Sequence, residues 1–276
     1  MLSTQNGNIS NKRKRELKDY SLNKLYIALK IIFMSSTFGM PSVYAVDLPS
    51  PDAGCDGGTT TCTVTGTQGT DFTVTGGITA PGDGINADAT VTGSAFTVNS
   101  GVTVTGGSTS AGFNFAGGNN NTLTNNGTIS GGYGINFGGG SGSNVINNGV
   151  INGLTSSNLL SLGNMGNGFT LTNNAGAIIS GGHTVIETTT SASGATINNA
   201  GTITSDDGSG GGVAIRLFGD NNTINLNTSS VISGDVQLDV GKTNNTLNLL
   251  GDGGHGHVWK LCEQSLDQFP EYRCRG

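Results

Sequence analysis

A short phrase recurs four times in the middle of this chain, and it constrains the fold more tightly than any other feature. Three copies read Leu123-Thr124-Asn125-Asn126-Gly127-Thr128-Ile129, Val145-Ile146-Asn147-Asn148-Gly149-Val150-Ile151 and Ile197-Asn198-Asn199-Ala200-Gly201-Thr202-Ile203. A fourth, Leu171-Thr172-Asn173-Asn174-Ala175-Gly176-Ala177-Ile178, has one residue inserted before its glycine. The glycines Gly127, Gly149, Gly176 and Gly201 are 22, 27 and 25 residues apart. Self-similarity at such a period marks a stacked-repeat architecture. Leu123, Asn125, Gly127 and Ile129 have even spacing, which in a strand puts them on one face. A glycine-rich turn and a second apolar run follow each phrase: Ile135-Asn136-Phe137, Leu159-Leu160-Ser161-Leu162, His183-Thr184-Val185-Ile186 and Val213-Ala214-Ile215-Arg216-Leu217.

This pattern predicts an all-β chain. The architecture is a right-handed parallel β-helix, a solenoid of about eight coils of roughly 25 residues each. At about 4.8 Å per coil the rod is roughly 40 Å long. Asn125, Asn147, Asn173 and Asn199 are expected to stack as an internal amide ladder. The glycines are expected to supply tight turns and positive φ. A leucine-rich repeat has a similar period but needs a helical segment in each coil, and no helical apolar periodicity is present. Looser copies extend the repeat upstream through Phe72-Thr73-Val74 and Phe96-Thr97-Val98. Downstream they run to Leu247-Asn248-Leu249, after which nothing follows the coil pattern. The organisation is therefore an extended signal peptide at 1–45, a cap segment at 46–66, the β-helix at 67–253 and an atypical tail at 254–276.

Composition supports the solenoid. The chain has 48 glycines and only 6% aromatic residues in 276, too few large side chains for an ordinary compact core of that size. A solenoid needs only a thin column of small apolar residues in each coil. Residues 89–205 carry a single charged side chain, Glu187, in 117 positions. From Val46 onward five basic residues face sixteen acidic ones, a net of −11, which argues against a nucleic-acid partner.

The N-terminus reads as an export signal, a cleavable helix. Basic residues from Lys12 to Lys24 precede an apolar run, Leu25 to Phe38, broken by Lys30. That run is shorter than the ~20 residues a membrane-spanning helix needs. Val43 and Ala45 fit the small-residue positions of a cleavage site between Ala45 and Val46. No span is expected in the mature chain. Export places the cysteines in an oxidising compartment, so Cys55, Cys62, Cys262 and Cys274 are disulfide candidates. Pairing of Cys55 with Cys62 would stiffen the N-terminal edge. His255 and His257 near Cys262 and Cys274 match no standard zinc spacing.

Catalytic chemistry finds little support. Asp206, Asp207, Asp220 and Asp235, with Arg216 and Lys242, are the charged groups of the late coils. Adjacent aspartates in an extended chain point to opposite sides and make a poor acid–base pair. Asp83-Gly84-Ile85-Asn86-Ala87-Asp88 lacks the final glutamate of a calcium loop. No catalytic residue, metal ligand or cofactor site is assigned.

The extended basic signal, the Asn-Asn-Gly-Thr-Ile phrase and the run Val213-Ala214-Ile215-Arg216, Asn221-Asn222-Thr223-Ile224-Asn225-Leu226, Ile232-Ser233-Gly234-Asp235-Val236 resemble the passenger region of bacterial autotransporters, the type V secreted proteins. The resemblance covers about residues 1–253. It implies a parallel β-helix at the outer surface of a Gram-negative cell, structural or adhesive and non-catalytic. The implied partners are host or bacterial surface glycans or proteins. Such passengers depend on a C-terminal β-barrel for display, and the last 23 residues do not form one. The expectation is thus a truncated passenger, periplasmic or secreted as it stands, and at the outer membrane when part of a complete autotransporter. The alternatives are a β-helix enzyme acting on polysaccharide, by lyase or hydrolase chemistry, and a nonfunctional gene remnant.

Overall fold

The computed structural model describes residues 45–48, 59–66, 69–153, 161–205, 212–239 and 241–250, together with the backbone of 272–275. Residues 1–44 of the signal segment, Cys55, Asp206, Asp207, the histidines at 255 and 257, and Cys262 lie outside the described residues. Within them the fold is all β, with strands arranged in three parallel sheets.

The coil containing the first phrase shows how the repeat generates the fold. Thr122–Asn125 forms one strand, Asn126-Gly127 turns the corner, and Thr128–Gly131 forms the second. After Gly132 the third strand, Tyr133–Asn136, completes the coil. Each strand pairs in parallel with its counterpart one coil away: Leu123 with Val145, Ile129 with Ile151, Ile135 with Leu162. Sheet 1 collects the first strands, sheet 2 the second and sheet 3 the third. Among the described residues they hold ten, seven and eight strands. Seven coils, from Asp71–Val74 to Asp235–Leu238, contribute one strand to every sheet. The count is one below the expected eight because the end coils are partial. Ala45–Leu48 and Cys62–Val64 begin the stack, and Thr246–Leu250 continues it. The backbone of Tyr272–Arg275 then pairs with Thr246–Leu250, a strand the tail's composition did not suggest.

Because side chains alternate along a strand, each sheet sends one set inward, and stacking turns that set into columns. Sheet 2 supplies an aliphatic column of Ile78, Val104, Ile129, Ile151, Ile179, Ile203 and Ile232. All but the last are at most 2% exposed. Full burial of each such side chain contributes about 1.5–3 kcal/mol. The early coils add aromatics. Phe96 stacks on Phe72 with centroids 4.7 Å apart, and Phe115 on Phe137 at 5.1 Å. Phe113 and Phe169 extend the cluster. Six of the seven phenylalanines among the described residues are therefore concentrated in one cluster.

The expected asparagine ladder is present and completely buried. Asn125 Nδ2 donates to Asn147 Oδ1 at 2.9 Å, Asn147 to Asn173 at 2.9 Å, and Asn173 to Asn199 at 2.8 Å. All four residues have zero exposure. Each Nδ2 also reaches a backbone carbonyl, such as Val150 O from Asn125 and Gly201 O from Asn199. Val98 precedes the ladder in the same column and Leu226 follows it. A second ladder runs beside it on the outside, with the opposite polarity: Asn148 donates to Asn126 at 2.8 Å and Asn174 to Asn148 at 2.5 Å. The adjacent columns of amide dipoles thus point in opposite directions, which is the favourable arrangement for neighbouring dipoles.

Two details of the phrase differ from expectation. At Gly127 and Gly149 the backbone is not left-handed. Their value is close approach: a Cβ would lie 2.2 Å from Val102 O and 2.0 Å from Gly127 O respectively. The fourth copy carries two extra residues rather than one. They are absorbed at a turn where Gly176 has φ +82°, so Ile179, not Ile178, enters the inner column beside Ile151 and Ile203. Ile178 faces outward and is 40% exposed.

Ile203 and Thr204 test the alternation directly, since one faces the core and the next faces out. Ile203→Asp is expected to cost several kcal/mol, as it buries a charge with no partner. Thr204→Asp should cost less than about 1 kcal/mol. Urea denaturation midpoints check this; equal midpoints would contradict the inward column.

Candidate functional site

The buried columns leave the outer faces of the described sheets as the surface a partner can reach. The outward positions of sheet 1 form two columns, of short polar side chains but for Ile146. Thr122, Asn144, Thr170, Thr196, Thr223 and Thr246 make one, and Thr97, Thr124, Ile146, Thr172, Asn198, Asn225 and Asn248 the other. Its C-terminal end is tied together: Asn225 donates to Asn198 at 2.6 Å and Asn248 to Asn225 at 2.7 Å. Sheet 2 presents Thr79, Thr105, Ser130, Asn152, Ser180, Thr204 and Ser233 in one column. Beside it stand Ile178 and Val231, 40% and 51% exposed. From Ala95 onward the described strands of sheets 1 and 2 contain no charged residue up to Leu250.

Sheet 3 is different. Its outward column begins with amides: Asn114 donates to Asn86 at 3.1 Å, Asn136 to Asn114 at 3.0 Å and Asn164 to Asn136 at 2.8 Å. It then becomes charged. Arg216 Nη1 lies 3.3 Å from Glu187 Oε2 across one coil step. Its Nε and Nη2 donate to Gln237 Oε1 on the other side, at 3.2 and 2.9 Å. Gln237 Nε2 in turn points to Asp235 at 3.5 Å. The guanidinium thus bridges three coils. Because the side chains of Arg216 and Glu187 are 34% and 26% exposed, the pair is worth no more than about 1 kcal/mol. Glu187 and Gln237 were not legible as partners from spacing alone, because they sit 29 and 21 residues from Arg216.

Three other charged residues, Asp83, Asp88 and Asp220, are occupied in holding corners. Asp83 accepts from Ala111 N at 2.8 Å and Asn114 Nδ2 at 2.9 Å, so both its oxygens serve the next coil. The hydroxyl and amide of Thr90 bind Asp88, and these bonds, the hydroxyl's foremost, hold its carboxyl below the usual aspartate range. Thr243 does the same for Asp220, with its N at 2.6 Å and Oγ1 at 3.1 Å. The amide's hydrogen bond is the largest cause of Asp220's lowered pKa, and Lys242 adds a smaller attraction. Asp220 and Asp235 do not converge on a common point with Asp83 or Asp88. Among the described residues no three His, Cys, Asp or Glu side chains gather as a metal site would require. Cys62 is disulfide-bonded, and its expected partner Cys55 lies outside the described residues. Cys274 falls in the strand 272–275, described for its backbone alone. Ala45 and Val46 open the first strand of sheet 1. Among the described residues no helix is long and apolar enough to cross a membrane.

No protein family, no curated protein and no solved structure matches this chain.

The Asp220 clasp sets a pH dependence whose sign follows from its depressed folded pKa. The clasp stabilises the rod above the unfolded-state pKa, and the contribution is lost as pH falls through the lower folded value. Asp220→Asn keeps the acceptor oxygen but cannot titrate. Thermal melts at about pH 7 and about pH 3 should show a smaller acid-induced drop for this variant than for wild type. An identical drop in both would exclude Asp220 as a contributor.

Proposed function

We propose that this chain is an exported, autotransporter-like passenger whose β-helix serves a structural or adhesive role at a bacterial surface, without catalysis. The observation that carries the reading is the outer surface of sheets 1 and 2 from Ala95 to Leu250, uncharged along its strands and made mostly of threonine, serine and asparagine, with Ile146, Val150, Ile178 and Val231 among them. Such a surface offers hydroxyls and amides to neutral polar partners, which surface glycans and the uncharged faces of proteins provide. It does not suit nucleic acid, whose recognition rests on basic residues. Asp83, Glu187, Arg216 and Asp220 are engaged in cross-coil bonds along different coils, so the polysaccharide-cleaving alternative draws no support from their arrangement. The export signal, with cleavage after Ala45, belongs to the same proposal. It would leave Val46 at the start of the first strand of sheet 1.

Beads coated with the purified chain are expected to adhere to a polysaccharide-bearing surface. Because the contact face is uncharged, adhesion should change less than about twofold between low salt and molar salt. Adhesion abolished by salt, or release of sugar fragments from the polysaccharide, would overturn the proposal. Expression with the signal in a Gram-negative host should yield a periplasmic protein whose intact mass begins at Val46; a product retaining Met1 would refute the cleavage assignment.

A further inference from the structure

We propose that the two Asn-Asn-Gly copies of the phrase carry their own brake on spontaneous deamidation, with the buried asparagine of each restraining the glycine that would otherwise attack the outward-facing one. Asn126-Gly127 and Asn148-Gly149, like Asn152-Gly153 and Asn167-Gly168, are Asn-Gly dipeptides, the type most prone to this reaction, because glycine has no side chain to hinder its amide nitrogen. In the reaction that nitrogen bonds to the Cγ of the preceding asparagine. Ammonia leaves, a succinimide ring forms, and water opens it to aspartate or isoaspartate. The nucleophile must be free and the chain must bend toward the side chain.

Neither condition is met in the folded rod. Gly127 N donates to Asn125 Oδ1 at 3.1 Å, and Gly149 N to Asn147 Oδ1 at 3.3 Å. These acceptors are the inner-ladder asparagines, with zero exposure. Gly127 cannot swing, since its Cα packs against Val102 O so closely that a Cβ would meet that oxygen at 2.2 Å. The electrophiles are held too, through the outer ladder of Asn126, Asn148 and Asn174. Asn174 is followed by Ala175, a poor nucleophile for this reaction. The consequence of failure is asymmetric. Asn126 only accepts within the outer ladder, so aspartate could replace it there. Asn148 donates to Asn126, so aspartate would set two acceptors face to face.

The test is peptide mapping by mass spectrometry of mildly alkaline samples, folded and in urea. In the folded wild type, conversion at Asn126 and Asn148 should be at least about tenfold slower than in urea, as expected for a reaction that must wait for local opening. Asn125→Val removes one brake, and Val98 in the same column shows that valine is accommodated. In this variant Asn126 should convert several-fold faster while Asn148, still guarded by Asn147, stays slow. Equal rates in folded and unfolded wild type, or an unchanged Asn126 rate in a folded Asn125→Val, would overturn the proposal. If that variant does not fold, amide hydrogen exchange of Gly127 and Gly149 in the wild type decides: protection supports the brake and free exchange rules it out.

Discussion

The constraint on which the rest of the structure depends is the demand of four buried amides for partners. An asparagine sealed inside a dry column must have its donors and acceptor met, since each group left unmet costs about 1–3 kcal/mol. A satisfied one contributes much less, about 1 kcal/mol net. The ladder from Asn125 to Asn199 is therefore a stronger argument against wrong stackings than for the right one. Slipping any coil by one residue would turn its asparagine outward and aim its neighbour's amide at nothing. The column around it would tolerate slips among aliphatic residues, but this position does not. Register is thereby fixed for the strands of sheet 1, and sheet 2 follows because only two to four residues join each of its strands to the preceding strand of sheet 1.

Around that column the packing divides the rod. The early coils fill their interior with phenylalanines in contact with one another, and the later ones with leucine, isoleucine and valine. The surface divides differently. Between Ala95 and Leu250 the strands of sheets 1 and 2 present neutral side chains, mostly hydroxyls and amides, while sheet 3 carries the Glu187–Arg216–Gln237 line. The same amide chemistry that orders the interior recurs outside, at Asn126, Asn148 and Asn174, and at Asn198, Asn225 and Asn248. Continuous ladders hold these side chains in a regular array. A surface already ordered in this way loses little side-chain freedom when a partner docks on it. This is the physical link between the repeat and the adhesive role proposed for it.

Much of this was legible in the residues. The even spacing of Leu123, Asn125, Gly127 and Ile129 is a statement about which face each occupies, and burial follows it. What escaped the sequence had one common cause: position within a solenoid depends on the residues of the next coil. Ile178 and Ile179 are equally apolar, and only alignment with Ile151 and Ile203 shows which enters the core. Gly127 looks like a turn glycine until the carbonyl of Val102, one coil away, is seen against it. Arg216 finds Glu187 and Gln237 at unequal separations because coils differ in length. The strand at 272–275 follows no repeat phrase and has no apolar alternation of its own to announce it.

The central claim is that a completed, water-free amide ladder sets the stacking of the coils. Hydrogen exchange of asparagine side-chain amides, followed by NMR, tests it most directly. The account predicts that the Nδ2 protons of Asn125, Asn147, Asn173 and Asn199 exchange as slowly as the core backbone amides, and far more slowly than those of Asn126, Asn148 and Asn174 on the outer ladder. Inner and outer side chains exchanging at the same rate would contradict it, because the inner column would then be open to water.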